Sequence, residues 1–143
     1  MGYCAPGADG QDLVLQSGAS AAFLSGTAHG YEVSSPVRDD EIVAATITGN
    51  SGDLAWILYS SVPGLGTSSP SYDGELLVSA PLGVYFAGAI PSSGMLAVSG
   101  PAPTLGPGVE SSVIYSQAVV RGATTGRFRV ASPSALVIVD DSF

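Results

Sequence analysis

The sequence predicts an all-β fold, an antiparallel β-sandwich of immunoglobulin-like or jelly-roll type with roughly eight to eleven strands. Three observations predict this class. No stretch of about a dozen residues keeps apolar side chains at helical spacing without a Gly or Pro interrupting it. Apolar segments instead recur every 8–15 residues or so, separated by turn-forming clusters. Gly and Pro account for 19 and 10 of the 143 residues, as expected of a chain with many turns.

The length predicts one domain. A chain of 143 residues can bury one hydrophobic core but is too short for two. We expect residues 1–10 to form a flexible or extended N-terminal arm and residues 11–143 to form a single β-sandwich domain. The arm has no strand pattern, and we expect its segment Met1 to Ala8 to cross to a neighbouring molecule and pair with an exposed strand edge.

The strands are predicted from the apolar segments and from the turns between them. Asp9-Gly10, Asp73-Gly74 and Asn50-Ser51-Gly52-Asp53 predict tight turns, because these residues accept the positive φ values that such turns need. Six prolines are expected at strand edges or in loops, where no ladder hydrogen bond is lost: Pro36, Pro63, Pro81, Pro91, Pro101 and Pro133. The predicted strands cover residues 11–16, 20–25, 28–34, 41–48, 54–60, 75–79, 83–90, 94–99, 112–121, 126–131 and 135–140.

Two longer segments are predicted to be loops. Val62 to Tyr72 and Gly100 to Gly108 are so rich in Gly and Pro that we expect no regular structure in them. A crossover between the sheets of a sandwich is the simplest explanation for each. A loop that faces a ligand or a partner is the alternative.

Three strands allow their faces to be predicted. In the strand 126–131, Arg127 and Arg129 fall on one face, which we expect to point outward, and Phe128 and Val130 fall on the other. The segments Trp56 to Tyr59 and Leu136 to Val139 are apolar on both faces. We therefore expect a loop, a terminus or a neighbouring molecule to cover their outer side.

The charge excludes nucleic-acid binding and several chemistries. A net charge of −8, with four Arg and no Lys, cannot neutralise a run of phosphates. Without Lys, neither a phosphate-binding loop nor Schiff-base chemistry is available. Cys4 is the only cysteine, so no intramolecular disulfide can form; a flexible end, an interchain disulfide and a lipid attachment stay open for it. No apolar segment is long enough for a membrane helix. No apolar signal-peptide core precedes Cys4, so an exported chain is expected in its mature form.

The titratable residues predict no active site. His29 is the only histidine, and an ordinary structural role is expected for it, because no Gly-x-Ser-x-Gly motif accompanies it. The run Asp39-Asp40-Glu41 is either a solvated turn or a calcium site of oxygen ligands, although it lacks the spaced pattern of a calcium loop. No carboxylate pair is singled out for a glycosidase. We therefore assign no catalytic, cofactor-binding or metal-binding residue, and expect no enzyme and no cofactor.

Aromatic residues are the candidates for a carbohydrate platform. We expect Trp56 and Phe86 to lie in the core, because their strands are strongly apolar. Tyr72, in a predicted loop, is the best candidate for an exposed ring. The full set of candidates is Trp56, Tyr59, Tyr72, Tyr85, Phe86 and Tyr115.

The C-terminal half resembles the end of small, largely uncharacterised β-sandwich modules of secreted and envelope proteins of some bacteria. The residues that carry the resemblance are Tyr115-Ser116-Gln117 in a strand, then a variable loop, and Ser132-Pro133-Ser134 leading into Leu136-Val137-Ile138. The stretches Gly10 to Leu15 and Gly52 to Ser60 are similar to the front of such modules. The resemblance implies an all-β fold, export, and a structural or binding role.

We expect a non-catalytic structural subunit of an extracellular or cell-envelope assembly, such as a filament, fibre or surface layer, with copies of itself as partners and no membrane span. The mean hydropathy of +0.38 is high for a small soluble monomer and suggests apolar surface that neighbours cover. The scarcity of titratable residues agrees with a non-catalytic role. A ligand-binding module, above all for carbohydrate, is the alternative; a jelly-roll coat protein is a further one.

Overall fold

The computed structural model describes residues 29–141, apart from the side chains of residues 67 and 68. Within that range no helix has the length and apolarity that crossing a bilayer requires. The strands there are β1 (Tyr31–Val33), β2 (Val37–Arg38), β3 (Ile42–Thr48), β4 (Leu54–Ser60), β5 (Pro63–Ser69), β6 (Tyr72–Val78), β7 (Gly83–Ala89), β8 (Met95–Pro101), β9 (Ser111–Arg121) and β10 (Phe128–Val139).

The strands form two sheets. The small sheet has the order β1-β3-β8, and the large sheet has the order β5-β6-β10-β9-β4-β7, with β2 beside β10. Most pairs are antiparallel, as hairpins and sheet-to-sheet crossings produce. The two parallel pairs are short and both involve β10, which meets β2 near its end and β6 near its start.

The core lies between the two sheets. Tyr31, Ala45 and Ile47 of the small sheet belong to one buried cluster with Ile57 and Ala118 of the large sheet. Because one cluster contains side chains from both sheets, the sheets pack face to face, and burial of this apolar surface holds them together. The predicted all-β class with two mostly antiparallel sheets is therefore confirmed, in a sandwich-like arrangement. A second, smaller buried cluster consists of Val37, Ala102, Leu136 and Ile138.

Most of the predicted strands in the described range are found. The strand 54–60 has the predicted ends, and five others differ by one to three residues at an end. Glycine 52 has a φ of +84°, as the turn predicted at Asn50 to Asp53 requires. The short strand β2 was not predicted. The predicted strands 11–16 and 20–25 and the arm 1–10 lie outside the described residues, as does the start of the strand 28–34.

The loop predicted from Val62 to Tyr72 is wrong, because β5 occupies most of it and the chain turns at residues 70 and 71. β5 is an edge strand whose pairing with β6 shifts register twice, so Gly66 at φ +78° and a leading Pro63 are accommodated. The turn predicted at Asp73-Gly74 is wrong for the same reason: both residues lie inside β6. Most of the second predicted loop is found, as residues 102–110 contain no strand.

The strands predicted at 126–131 and 135–140 are one strand, β10, with Pro133 inside it. The expectation that every proline lies at a strand edge or in a loop is therefore wrong for Pro133. The pairing of β10 with β9 shifts register between Val130 and Pro133. The irregular residues are 131 and 132, and Pro133 pairs with Gln117 directly after them. Prolines within sheets are found beside such bulges.

Candidate functional site

Aromatic side chains gather on the face of the large sheet that points away from the small sheet. Along β4, Ile57 points to the core, so its neighbours Trp56 and Leu58 point to the outer face. Phe86 of β7 pairs with Trp56, and their ring centroids are 5.4 Å apart. Phe128 of β10 completes the group, with its ring 6.0 Å from that of Trp56. We call Trp56, Phe86 and Phe128 the outer aromatic cluster.

The outer aromatic cluster is open to solvent. Phe86 is 55% exposed, and Val84, its neighbour on the same face of β7, is 61% exposed. The expectation that Phe86 lies in the core is therefore wrong, and Trp56 is only half-buried. The apolar character of β4 and β7 was recognised, but which face the small sheet covers is decided by packing. Together with Leu58 and Val84 the cluster forms what we call the outer apolar face.

The two arginines beside the cluster are partly exposed, and both lie near one acidic side chain. Arg127 Nη2 lies 2.7 Å from Asp73 Oδ1, and Arg129 Nε lies 4.0 Å from Asp73 Oδ2. Both guanidinium groups thus meet a single carboxylate at the start of β6. These side chains are partly exposed, so the ion pairs are screened by water and contribute little to stability. Phe128, predicted to be buried on the opposite face, is partly exposed.

Gln117 hydrogen-bonds to β6, which covers part of the outer side of the large sheet. It is 1% exposed, although it lies on the outer side of β9, opposite Leu58. Gln117 Oε1 accepts a hydrogen bond from the Leu77 N–H at 2.8 Å. Gln117 Nε2 donates to the carbonyl oxygens of Glu75 and Ala131 at 2.9 and 2.8 Å. In the sequence, Ser116 and Gln117 are two polar residues before the apolar Ala118-Val119-Val120, a pattern that is typical of exposed positions as well.

A cleft opens between the large sheet and the small sheet. Its volume is about 270 Å³. Tyr59 and Tyr85 line it from the large sheet, and Val98 and Gly100 line it from the small sheet. The aromatic residues considered for a carbohydrate platform are therefore divided between surfaces: Tyr59 and Tyr85 face the cleft, whereas Trp56 and Phe86 face outward. Tyr72 is half-buried in β6, so its assignment to an exposed loop is wrong.

The wall of this cleft contains one buried polar pair. The Tyr31 hydroxyl donates to Ser116 Oγ at 2.9 Å, joining the two sheets. Burial raises the pKa of Tyr31, and the hydrogen bond with Ser116 offsets this only partly. The hydroxyl is therefore neutral at physiological pH and serves as a hydrogen-bond donor.

His29 and Asp53 form a buried polar contact where the turn 50–53 meets the turn after β9. Asp53 Oδ1 accepts the Ala123 N–H at 2.9 Å, and Oδ2 accepts from Asn50 Nδ2 at 3.3 Å. His29 Nε2 lies 3.7 Å from Asp53 Oδ2. Burial by itself raises the pKa of Asp53, but the bonds from Ala123 and Asn50 and the nearby His29 outweigh burial, so this pKa lies below its ordinary value. The arrangement ties two turns together.

The acidic run Asp39-Asp40-Glu41 is engaged with protein donors. Asp39 Oδ2 accepts the Leu105 N–H at 3.1 Å, Asp40 Oδ1 accepts the Thr104 hydroxyl at 3.2 Å, and Glu41 Oε2 accepts the Arg38 N–H at 2.8 Å. Asp39 and Asp40 thus hold the loop after β8, whereas Glu41 closes its own turn, so the three carboxylates have separate partners. In the range 29–141 no group of three or more His, Cys, Asp or Glu side chains is placed to hold a metal ion.

The comparisons with known proteins assign no family. No protein-family model matches the chain, and no curated protein matches it. The resemblance to bacterial envelope modules therefore stays a prediction, and the function is inferred from the outer apolar face described above.

Proposed function

We propose that the protein is a non-catalytic structural subunit that self-associates through the outer apolar face. The observation that carries the proposal is the exposed cluster of Trp56, Phe86 and Phe128 beside Val84. Contiguous apolar surface of this kind, on a chain with few charged residues, marks a contact site for protein. Aromatic side chains at the centre of an interface contribute most of its binding energy.

The charge distribution supports contact at this face. The chain carries a net charge of −8, so copies repel each other at long range. Three of its four arginines lie next to Phe128. Arg127 and Arg129 flank it in the sequence, and Arg121 of β9 is its partner in the β9–β10 pairing. No charged residue stands between Glu75 and Glu110, the segment that contains Val84 and Phe86. Repulsion between copies is therefore weakest where the apolar side chains are exposed.

The proposal includes the class of assembly and its place. We infer a filament, fibre or surface layer outside the cell or in its envelope, built from copies of this chain. We further infer a sandwich of immunoglobulin-like or jelly-roll type. The connections support this inference. The chain passes from the small to the large sheet after β3, returns to the small sheet after β7, and passes to the large sheet again after β8, as Greek-key sandwiches do.

The test compares two substitutions that add the same charge. Phe86→Asp places a carboxylate in the outer aromatic cluster, and Ile42→Asp places one at an exposed apolar position of the small sheet. Sedimentation velocity over a concentration series should show association of the wild type and of Ile42→Asp, and its loss in Phe86→Asp. Trp56 is the only tryptophan, so its emission should shift to shorter wavelength as the wild type associates. A wild type that stays monomeric at every concentration would overturn the proposal.

Carbohydrate binding is the second candidate, because the same three rings are accessible to a sugar. The rings of Phe86 and Phe128 are tilted by 49° and 52° relative to Trp56. A flat platform needs rings near one plane, so this geometry supports sugar stacking less than a protein contact. Quenching of Trp56 emission by an oligosaccharide, with the chain still monomeric, would favour the second candidate.

A further inference from the structure

We propose that the cleft between the two sheets is a binding site for a small, neutral, apolar molecule, with naphthalene as a representative of the size and chemistry that it accepts. The proposal does not depend on self-association, because the cleft lies on the inner side of the large sheet and the outer apolar face on the other. It rests on the packing of the two sheets, the space beside Gly100, the absence of charge from the walls, and the pairing of the buried hydroxyl groups.

The two sheets pack closely in one half of the core and leave space in the other. In the closely packed half, Ile47 of the small sheet and Val120 of the large sheet are both 0% exposed. Val43 lies two residues from the buried Ala45 and shares its inner side, yet it lines the cleft and is only half-buried. Protein cores contain few spaces larger than a water molecule. A space of about 270 Å³ between two core-forming faces therefore sets this half apart from ordinary packing.

The wall formed by β8 has room for additional atoms. Gly100 pairs with Val43 and lines the cleft with it. A Cβ atom added to Gly100 would have no heavy atom of the described chain within 4 Å. Across from it, Tyr59 and Tyr85 line the cleft and are 43% and 50% exposed. The cleft therefore extends from open space beside Gly100 to solvent beside the two tyrosines, which gives a ligand a way in.

The walls favour a ligand without charge. Among the described residues that line the cleft, none is charged. A carboxylate or an ammonium group in the cleft would lose water and gain no partner of opposite charge, and such burial is costly. The aliphatic side chains that both sheets contribute, among them Ile57, Val98 and Leu136, instead offer apolar area to an uncharged molecule.

The buried hydroxyl groups of the wall do not require a polar ligand. The Tyr31 hydroxyl donates to Ser116 Oγ at 2.9 Å, and Ser116 Oγ donates to the Ser134 carbonyl oxygen at 3.5 Å. Each hydroxyl proton thus has an acceptor within the protein. An apolar molecule in the cleft leaves neither donor unpaired, so it avoids the cost of a buried polar group without a hydrogen bond.

The volume of the cleft sets the size of the ligand. A dry cavity of about 150 Å³, lined by aliphatic and aromatic side chains, binds benzene. The cleft, at about 270 Å³, has room for nearly twice as many atoms. Naphthalene, which consists of two fused benzene rings, matches this size and carries neither charge nor hydrogen-bonding groups.

NMR titration of the full chain with naphthalene tests the site. The methyl signals of Val43 and Val98, which line the cleft, should shift with naphthalene concentration, whereas those of Val84 on the outer apolar face should not. 2-Naphthoate presents the same rings with a negative charge and should bind about tenfold more weakly or worse, because the cleft offers no cation. Absence of naphthalene binding, equal affinity for 2-naphthoate, or shifts confined to Val84 would each overturn the proposal.

A substitution that fills the cleft provides the second test. Gly100→Leu adds a side chain to the open space and should weaken naphthalene binding by about tenfold or more. Its Tm should be at least that of the wild type, because the added side chain gains apolar contacts without displacing described atoms. Ala97→Leu, at an exposed position on the other side of β8, is the matched control and should bind naphthalene like the wild type.

The two measurements separate the possible occupants of the cleft. Unchanged binding by a folded Gly100→Leu would place naphthalene on another surface and overturn the proposal. A wild type that does not bind naphthalene, together with a lowered Tm of Gly100→Leu, would show that protein already fills the cleft, from this chain or a second copy. If Gly100→Leu fails to fold, the methyl shifts of the wild type still decide whether naphthalene binds in the cleft.

Discussion

Replacement of Gln117 by Met should lower the free energy of unfolding, because it removes the hydrogen bonds that hold β6 against the large sheet. The side chain is buried and makes three hydrogen bonds to backbone groups of Leu77, Glu75 and Ala131, all between 2.8 and 2.9 Å. Met fills a similar volume but satisfies none of these groups. Each bond contributes about 1 kcal/mol net, and a buried group left unpaired costs about 1–3 kcal/mol, so the free energy of unfolding should fall by about 3–5 kcal/mol.

Urea unfolding, followed by circular dichroism, measures this loss. For a domain of this size 1 kcal/mol corresponds to about 3 °C, so the Tm should also fall by about 10–15 °C. Gln117→Asn keeps the amide but shortens the side chain, and should lose nearly as much because it no longer reaches β6. A loss below about 1 kcal/mol, together with unchanged hydrogen exchange of the Leu77 amide, would refute the role assigned to Gln117.

Three further predictions concern the charged groups. The folded protein lowers the pKa of Asp53, so its carboxylate contributes stability above its ordinary pKa of 3.8, and this stability is lost as the pH falls through the folded pKa. Asp53→Asn should therefore make the free energy of unfolding less dependent on pH in the acid range. An unchanged pH dependence would contradict this role of Asp53. Each of Asp39, Asp40 and Glu41 accepts a hydrogen bond from a different protein donor, so melting curves with a chelator and with added calcium should coincide. A higher Tm with calcium would show that the run binds it. Self-association should persist or strengthen as salt rises and as the pH falls toward the pI near 4.1, because both reduce repulsion; dissociation at high salt in light scattering would show that ion pairs of Arg127 or Arg129 hold the contact.

Local pattern accounts for the elements that the sequence predicted well. β3, β4, β8 and β9 are apolar segments bounded by turn residues, and their strand character depends on neighbouring residues alone. β5 was missed because Gly and Pro lower the intrinsic preference for a strand, while the hairpin partner β6 supplies the pairing that overrides it. β10 was divided in two because Pro133 cannot donate to a ladder. Only the register with β9 shows that the strand continues past a bulge and that its pairing resumes at Pro133.

The sequence by itself determined the all-β class, the scarcity of charge and the presence of an apolar aromatic set. Only the tertiary structure decided which side each aromatic ring takes, because alternation along β4 and β7 is symmetric until the small sheet covers one face. This choice places Phe86 in solvent and Tyr85 in the cleft. The tertiary structure also buries Gln117 on the outer side of β9. Leu77 of β6, 40 residues away in sequence, lies next to this position, and β6 supplies backbone groups to which Gln117 hydrogen-bonds.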